Sequence, residues 1–225
     1  MNEHSFMTAA ALPTATSAKE GQILAAALEL FTERTFAGTA VPLVAERAGV
    51  ATGTIYRYFP SKEALLNAVY QQWKGDLKRR LVDEHDDSAL LQGTADETRD
   101  ESARDEFHHW WSTLATFVLE QPTAFEFLEL HHHEPYLDDA SRTIALEVDA
   151  SALTFTMRGQ EEGVIRTDLS PQVVIALVYG ALTGIFRGMR LHPDLFVPGD
   201  LAAAEDAAWD MVRTPGSARS SPPTD

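Results

Sequence analysis

Two helical segments too short to stand alone, joined through a glycine and stopped by a proline, constrain this chain more than any other feature. Apolar residues recur at helical spacing from about Val41 to Ala48 and from about Thr52 to Phe59, with Gly49 between the two and Pro60 directly after. Glycine closes a helix in the left-handed conformation without a Cβ penalty, and proline cannot continue one. Segments this short are not stable helices in water by themselves, so they must pack on each other and on longer neighbours. Val44, Ala45, Ala48, Val50 and Ile55 are placed to do so, against a first helix from about Ala18 to Arg34 that carries Ile23, Ala27, Leu30 and Phe31 on one face. Ser61 is positioned to cap a fourth helix bearing Leu65, Leu66, Val69, Trp73 and Leu77, with Glu63 in its first turn and Lys78, Arg79 and Arg80 near its end, as the helix dipole favours.

Two short helices with a glycine turn are the requirement of a helix-turn-helix. Packing through Ile55 leaves Thr52, Gly53, Thr54, Tyr56 and Arg57 on the outer face of the second of them. Hydroxyls there can reach base edges or phosphates, Gly53 permits close backbone approach, and an arginine can grip a guanine edge with two hydrogen bonds. Tyr58, Lys62 and the first amides of the fourth helix can hold a phosphate. Tyr56 and Tyr58 have a plainer reading as half-buried packing residues, and Arg34 and Arg47 as solvated helix charges.

The run FAGTAVPLVAERAGVATGTIYRYFPSKEALLNAVY resembles the DNA-binding domain of the TetR family of bacterial transcriptional regulators, and the preceding ILAAALELF fits that family's first helix. The resemblance is continuous from about Ile23 to Tyr70, and AGVATGTIYRYFPSKEALL fits residue by residue. It implies an all-α homodimer, with an amino-terminal three-helix DNA-binding domain on a palindromic double-stranded DNA operator and a carboxy-terminal helical domain for dimerisation and a small effector, about nine helices in total. By the same resemblance Thr52, Gly53, Tyr56 and Arg57 align with base-reading or groove-facing positions, and Tyr58 and Lys62 with backbone-contacting ones. One departure stands at the start of the second helix, where the family commonly has a hydroxyl residue and then, two positions on, a basic one. This chain has Ala40 and Pro42, which leaves Thr39 as the candidate cap and phosphate contact.

The charge distribution agrees with a DNA-facing module joined to something else. The chain carries −16, yet Lys19 to Leu81 holds nine basic against six acidic residues, a net of +3 that leaves −19 elsewhere. There is no cysteine, which suits a reducing cytoplasm and removes thiolate chemistry. The first twenty residues lack a signal-peptide pattern, and the uncharged part of the helix expected from Pro171, up to Phe186, is 16 residues against the roughly 20 that span a bilayer. No membrane partner is expected. No nucleophile elbow, phosphate loop, zinc-protease or dinucleotide motif is present, so the expectation is a protein that is not an enzyme and needs no cofactor.

The expected organisation is a disordered arm over 1–17, the DNA-binding domain with its linking helix over 18–81, the effector and dimerisation domain over 82–213, and a disordered tail over 214–225. The acidic stretch from Val82 to Glu106 reads as a loop. Helices are expected at about Asp105 to Glu120, Pro122 to His133, Asp139 to Glu162, Pro171 to Leu191 and Asp200 to Arg213. The aromatic residues of this half are first of all a core, and part of them can also enclose an effector: Trp110, Trp111, Leu114, Phe117, Phe125, Leu128, His131, Phe155 and Tyr179 are the candidates. Consecutive histidines, His131 to His133 and His108 with His109, diverge by about 100° per residue on a helix and cannot jointly ligate one metal ion. Gly180, Gly184 and Gly188 form a ridge without side chains, for close helix approach within the subunit or across a dimer seam, where Trp209 is a further candidate. The expected function is a sequence-specific DNA-binding regulator, a repressor released from its operator by a small hydrophobic effector that is uncharged or weakly polar; the alternative is a helical interaction or dimerisation protein that no ligand gates.

Overall fold

The computed structural model describes residues 18–83, 97–130, 133–197 and 199–215. Nine α-helices occur among them: α1 Ala18–Gly38, α2 Val41–Arg47, α3 Thr52–Tyr58, α4 Lys62–Lys78, α5 Glu97–Glu120, α6 Pro122–Leu130, α7 Asp139–Glu161, α8 Pro171–Leu191 and α9 Asp200–Val212. The only extended pairing among the described residues is an isolated bridge between Ile165 and Arg213. The packing divides into two compact units, one up to Val69 and one from Tyr70, a division that falls inside α4.

In the first unit Ile23, Ala27, Leu30 and Phe31 of α1 are buried together with Val44, Ala45, Ile55, Leu65, Leu66 and Val69, the apolar faces of four amphipathic segments. Helical geometry in α1 breaks at Thr35, with φ 63° and ψ 167°. Such a conformation costs a residue with a Cβ about 1–3 kcal/mol, and two neighbours hold it. The Thr39 hydroxyl donates to the carbonyls of Thr35 (2.8 Å) and Leu30 (3.0 Å). The Lys62 ammonium donates to those of Phe36 (2.6 Å) and Thr39 (2.8 Å).

The second unit is built on Leu77, Leu81, Phe107, Trp111, Phe117, Phe127, Ile165, Leu182, Trp209 and Val212, all buried. A five-residue π-turn, Arg79–Asp83, continues from α4. Helix α5 begins at Glu97, inside the stretch expected to be a loop. Acidic residues favour a helix amino terminus, and long-range ion pairs fasten the following turns: Arg104 to Glu205 (2.5 Å) and Asp206 (2.8 Å), and Glu106 to Arg158. Helix α6 spans Pro122–Leu130, and His133 lies outside any helix. The buried His133 instead bonds the Phe127 carbonyl at 2.6 Å. Side-chain caps match the expected helix starts: Asp138 accepts from the Ser141 amide and Ser170 from that of Val173, with Pro171 in the first turn. The residues at the end of α9 pair with the α7–α8 loop, where the amides of Arg166 and Thr214 donate to the carbonyls of Val212 (2.9 Å) and Val164 (2.8 Å).

Candidate functional site

Between α2 and α3 the chain makes a Schellman turn. Gly49 sits at φ +65°, its amide donates to Glu46 at 3.1 Å, and that of Val50 donates to Ala45 at 2.9 Å. Ile55 is then 1% exposed and Tyr56, the next residue around α3, is 51% exposed. Gly53 and Arg57 are also exposed, and Thr52, Thr54 and Tyr58 half-buried. The open space at Gly53, where an added Cβ would meet nothing within 4 Å, leaves the α3 backbone approachable. The Arg57 guanidinium lies 5.2 Å from the centre of the Tyr58 ring. Ser61 caps α4 by accepting from the Ala64 amide at 3.0 Å.

Two residues assigned to phosphate from sequence are engaged inside the unit. Thr39 is 2% exposed with its hydroxyl spent on α1 carbonyls, and α2 is capped by Ala40 without any side-chain hydrogen bond. Lys62 spans two carbonyls and lies 4.2 Å from the Phe36 ring centre, which makes it a clamp between α4 and the end of α1. The need for that clamp arises from the irregular backbone at Thr35, which helical periodicity cannot reveal. Arg47 is paired with Glu29 at 2.8 Å and Glu33 at 3.3 Å on the surface.

The second unit contains a cavity of about 450 Å³. Its wall includes Trp110, Trp111, Leu114, Phe155 and Tyr179 from the expected set, together with Phe107, Leu77, Leu153, Ile165, Ile175 and Leu182. The Trp111 indole N–H is satisfied by the Leu201 carbonyl at 3.2 Å. Phe117, Phe125 and Leu128 are not part of the wall. Phe117 is fully buried against Trp73 and the Arg80 guanidinium, Phe125 packs edge-on against Phe186, and Leu128 is buried in the core. His131 lies outside the described residues.

The polar residues of the wall were missed from sequence. Lys74 and Glu129 face each other at 3.6 Å, and Asp149 and Gln172 line the same space. Burial, then the charges of Glu129 and Asp149, hold the Tyr179 phenol protonated far above its ordinary range and push Tyr70 up to about 12. A usable signal existed for Glu129, one of two carboxylates, with Glu126, that interrupt the otherwise apolar run Phe125 to Leu130. Among the described residues, no group of three or more His, Cys, Asp or Glu is arranged to hold a metal ion.

Within the single chain α8 is largely uncovered. Val173 (43%), Leu177 (38%) and Leu191 (61%) are exposed, and Gly180 and Gly184 face open space. Gly188 is packed at home, since a Cβ there would come within 2.7 Å of Phe196. Trp209 is buried against Phe107, with ring centres 5.1 Å apart. By length and composition α8 could cross a membrane.

Comparison with known proteins places both units. Residues 23–69 match the family model of bacterial regulatory proteins of the TetR family, and residues 81–214 that of the tetracyclin repressor-like C-terminal domain. The HTH-type transcriptional regulator RutR of Escherichia coli (strain K12) is 47% identical over 68 residues, which is 28% of this chain and 32% of RutR. The chain thus aligns with about a third of the length of that relative. A TetR-family transcription regulator from Marinobacter aquaeolei VT8 shares the fold with a TM-score of 0.67 at 19% identity, over 87% of this chain and 96% of that one. The transcriptional regulator FadR from Bacillus subtilis, solved with stearoyl-CoA, gives a TM-score of 0.61 at 20% identity over 85% and 96%.

Proposed function

Because this chain belongs to the TetR family of bacterial regulatory proteins, we propose that it is a sequence-specific DNA-binding transcriptional repressor released from its operator by a small molecule held in the second unit. The observation that carries the DNA-binding part is the polarity of α3. Ile55 anchors one face in the core, while Gly53, Tyr56 and Arg57 are presented to solvent on a helix of the size a major groove admits. Arg57 is the base-reading cation, Tyr56 and the hydroxyls of Thr52 and Thr54 add groove and backbone contacts, and Tyr58 supports Arg57 from beside it. Lys62 and Thr39 act by holding the scaffold.

A palindromic operator requires a two-fold assembly, with recognition helices about 34–36 Å apart or a multiple of that. The uncovered apolar face of α8, with Val173, Leu177, Gly180 and Gly184 at helical spacing, is the surface for a second copy. Burial there accounts for an apolar helix without a membrane, and the protein acts in the cytoplasm where the DNA is. The cavity is the effector site, its apolar wall suited to a greasy or aromatic body and its few polar groups to orientation. FadR's complex with stearoyl-CoA supports ligand use by this fold. Helix α4 gives the effector a route to the DNA-binding unit, since Lys62 to Val69 belong to the first unit and Lys74 and Leu77 line the cavity. An effector releases DNA only to the extent that it binds the DNA-incompetent conformer better.

A gel shift against the DNA flanking its own gene, with random DNA as competitor, tests this function. Retention of a specific complex supports it. Equal competition by random DNA refutes it and favours an interaction protein that no longer reads sequence.

A further inference from the structure

The cavity wall carries three formal charges, one positive and two negative, and their pairing leaves one over. Lys74 and Glu129 form a pair at 3.6 Å with side chains only 12% and 14% exposed. Those groups satisfy one another. Asp149, on α7, lines the same space, is exposed, and has no ion pair among the described residues. The next cation along α4 is already committed, because Lys78 pairs with Glu147 at 3.2 Å and Asp83 at 3.3 Å. Both carboxylates also act on the phenols of Tyr70 and Tyr179, so a negative field extends over the polar end of an otherwise apolar chamber.

We infer that the effector is an amphipathic cation, an apolar or aromatic body bearing one protonated amine that pairs with Asp149 at the polar end of the cavity. This rests on the ligand-gated function proposed above and adds the charge of the ligand. A carboxylate ligand has no free cation to meet. It would have to part Lys74 from Glu129 in a mostly apolar wall, and breaking a shielded pair from one side is costly. A neutral alcohol loses nothing but gains no charge-assisted hydrogen bond. An amine gains that bond, and its ammonium is also attracted by the electron-rich faces of nearby phenols.

The test uses the full chain and three probes with one skeleton, 4-phenylbutylamine, 4-phenylbutan-1-ol and 4-phenylbutyrate, titrated calorimetrically at pH 7. Because Asp149 is exposed and partly screened, the amine should bind about three- to fivefold more tightly than the alcohol, the upper part of what a screened pair supplies. The carboxylate should bind most weakly. Asp149→Asn removes the charge at an exposed position and should bring the amine to the level of the alcohol while leaving the alcohol unchanged. A preference for the carboxylate, equal binding of amine and alcohol, or an amine preference that survives Asp149→Asn overturns the assignment. Binding by none of the three at millimolar concentration overturns it as well. Operator titrations on the same samples separate this inference from the gating proposal. An amine that binds through Asp149 without changing operator affinity supports the ligand class and refutes gating, whereas release of DNA by the carboxylate does the reverse.

Discussion

Replacing Lys62 with methionine distinguishes a scaffold clamp from a phosphate contact. Methionine keeps the apolar stem and removes the ammonium, so the carbonyls of Phe36 and Thr39 lose donors at 2.6 and 2.8 Å and the Phe36 ring loses its cation. Hydrogen bonds to charged groups contribute about 1.5–3 kcal/mol each when well shielded. Lys62 is half-buried, so each bond falls at or just below the low end of that range, about 1–1.5 kcal/mol, and the two together should be worth about 2–3 kcal/mol, with the cation–π contact within that uncertainty. All four tryptophans, Trp73, Trp110, Trp111 and Trp209, lie in the second unit, so their fluorescence does not report this change directly. Hydrogen exchange of amides in α1 and the first turns of α4 does, and a loss of about 2–3 kcal/mol lowers protection about 30- to 160-fold. Lys62→Met should leave the salt dependence of operator binding nearly unchanged, because no phosphate contact is lost. The reasoning fails if protection falls by less than about twofold while the slope of log K against log salt drops by about 0.9, the signature of one lost phosphate.

Arg57→Ala should weaken the specific operator by about 1–3 kcal/mol and relax base preference at one position per half-site; gel shifts on single-base operator variants check this, and equal loss on random DNA would remove its base-reading role. Gly49→Ala meets no neighbouring atom but forces a Cβ into φ +65°, so urea unfolding should show about 1–2 kcal/mol of lost stability from backbone strain alone. Gly184→Leu projects into open space on α8, so sedimentation should show a weakened dimer while the circular dichroism spectrum of the protomer is retained; an unchanged dimer would move the seam elsewhere. The Ser141 amide, with lesser help from the Ser141 and Gln71 side chains, holds the Asp138 carboxyl below its usual range. Its capping contribution is therefore full above the ordinary carboxylate pKa and is lost as pH falls through the lowered value. The stability gap between wild type and Asp138→Ala, about 1 kcal/mol at pH 7, should close on acidification in urea titrations.

Local chemistry determined the helical class, the turn at Gly49 and the outward set on α3, because each rests on interactions within a few residues along the chain. A left-handed glycine, a capping serine, a first-turn proline and the 3.6-residue period act on their own neighbourhood, and they recur at Gly49, Ser61, Pro171 and Ile55 where they were expected. What only the tertiary structure decided are pairings between distant residues. Lys62 became a clamp because Phe36 and Thr39, far away in sequence, turn their carbonyls toward it. The early start of α5 came from Arg104 and Glu106 finding acid and base partners on α9 and α7, against a composition that reads as loop. The division between cavity wall and solid core, which admits Phe155 and excludes Phe117 and Phe125, is likewise a matter of which helix faces which. An aromatic residue on an amphipathic helix looks the same in sequence whether its neighbour across the gap is another ring or empty space. The odd carboxylate at the polar end of the cavity has the same origin. Charge on each residue is written in the chain, but whether Glu129 or Asp149 is neutralised depends on where Lys74 arrives after folding.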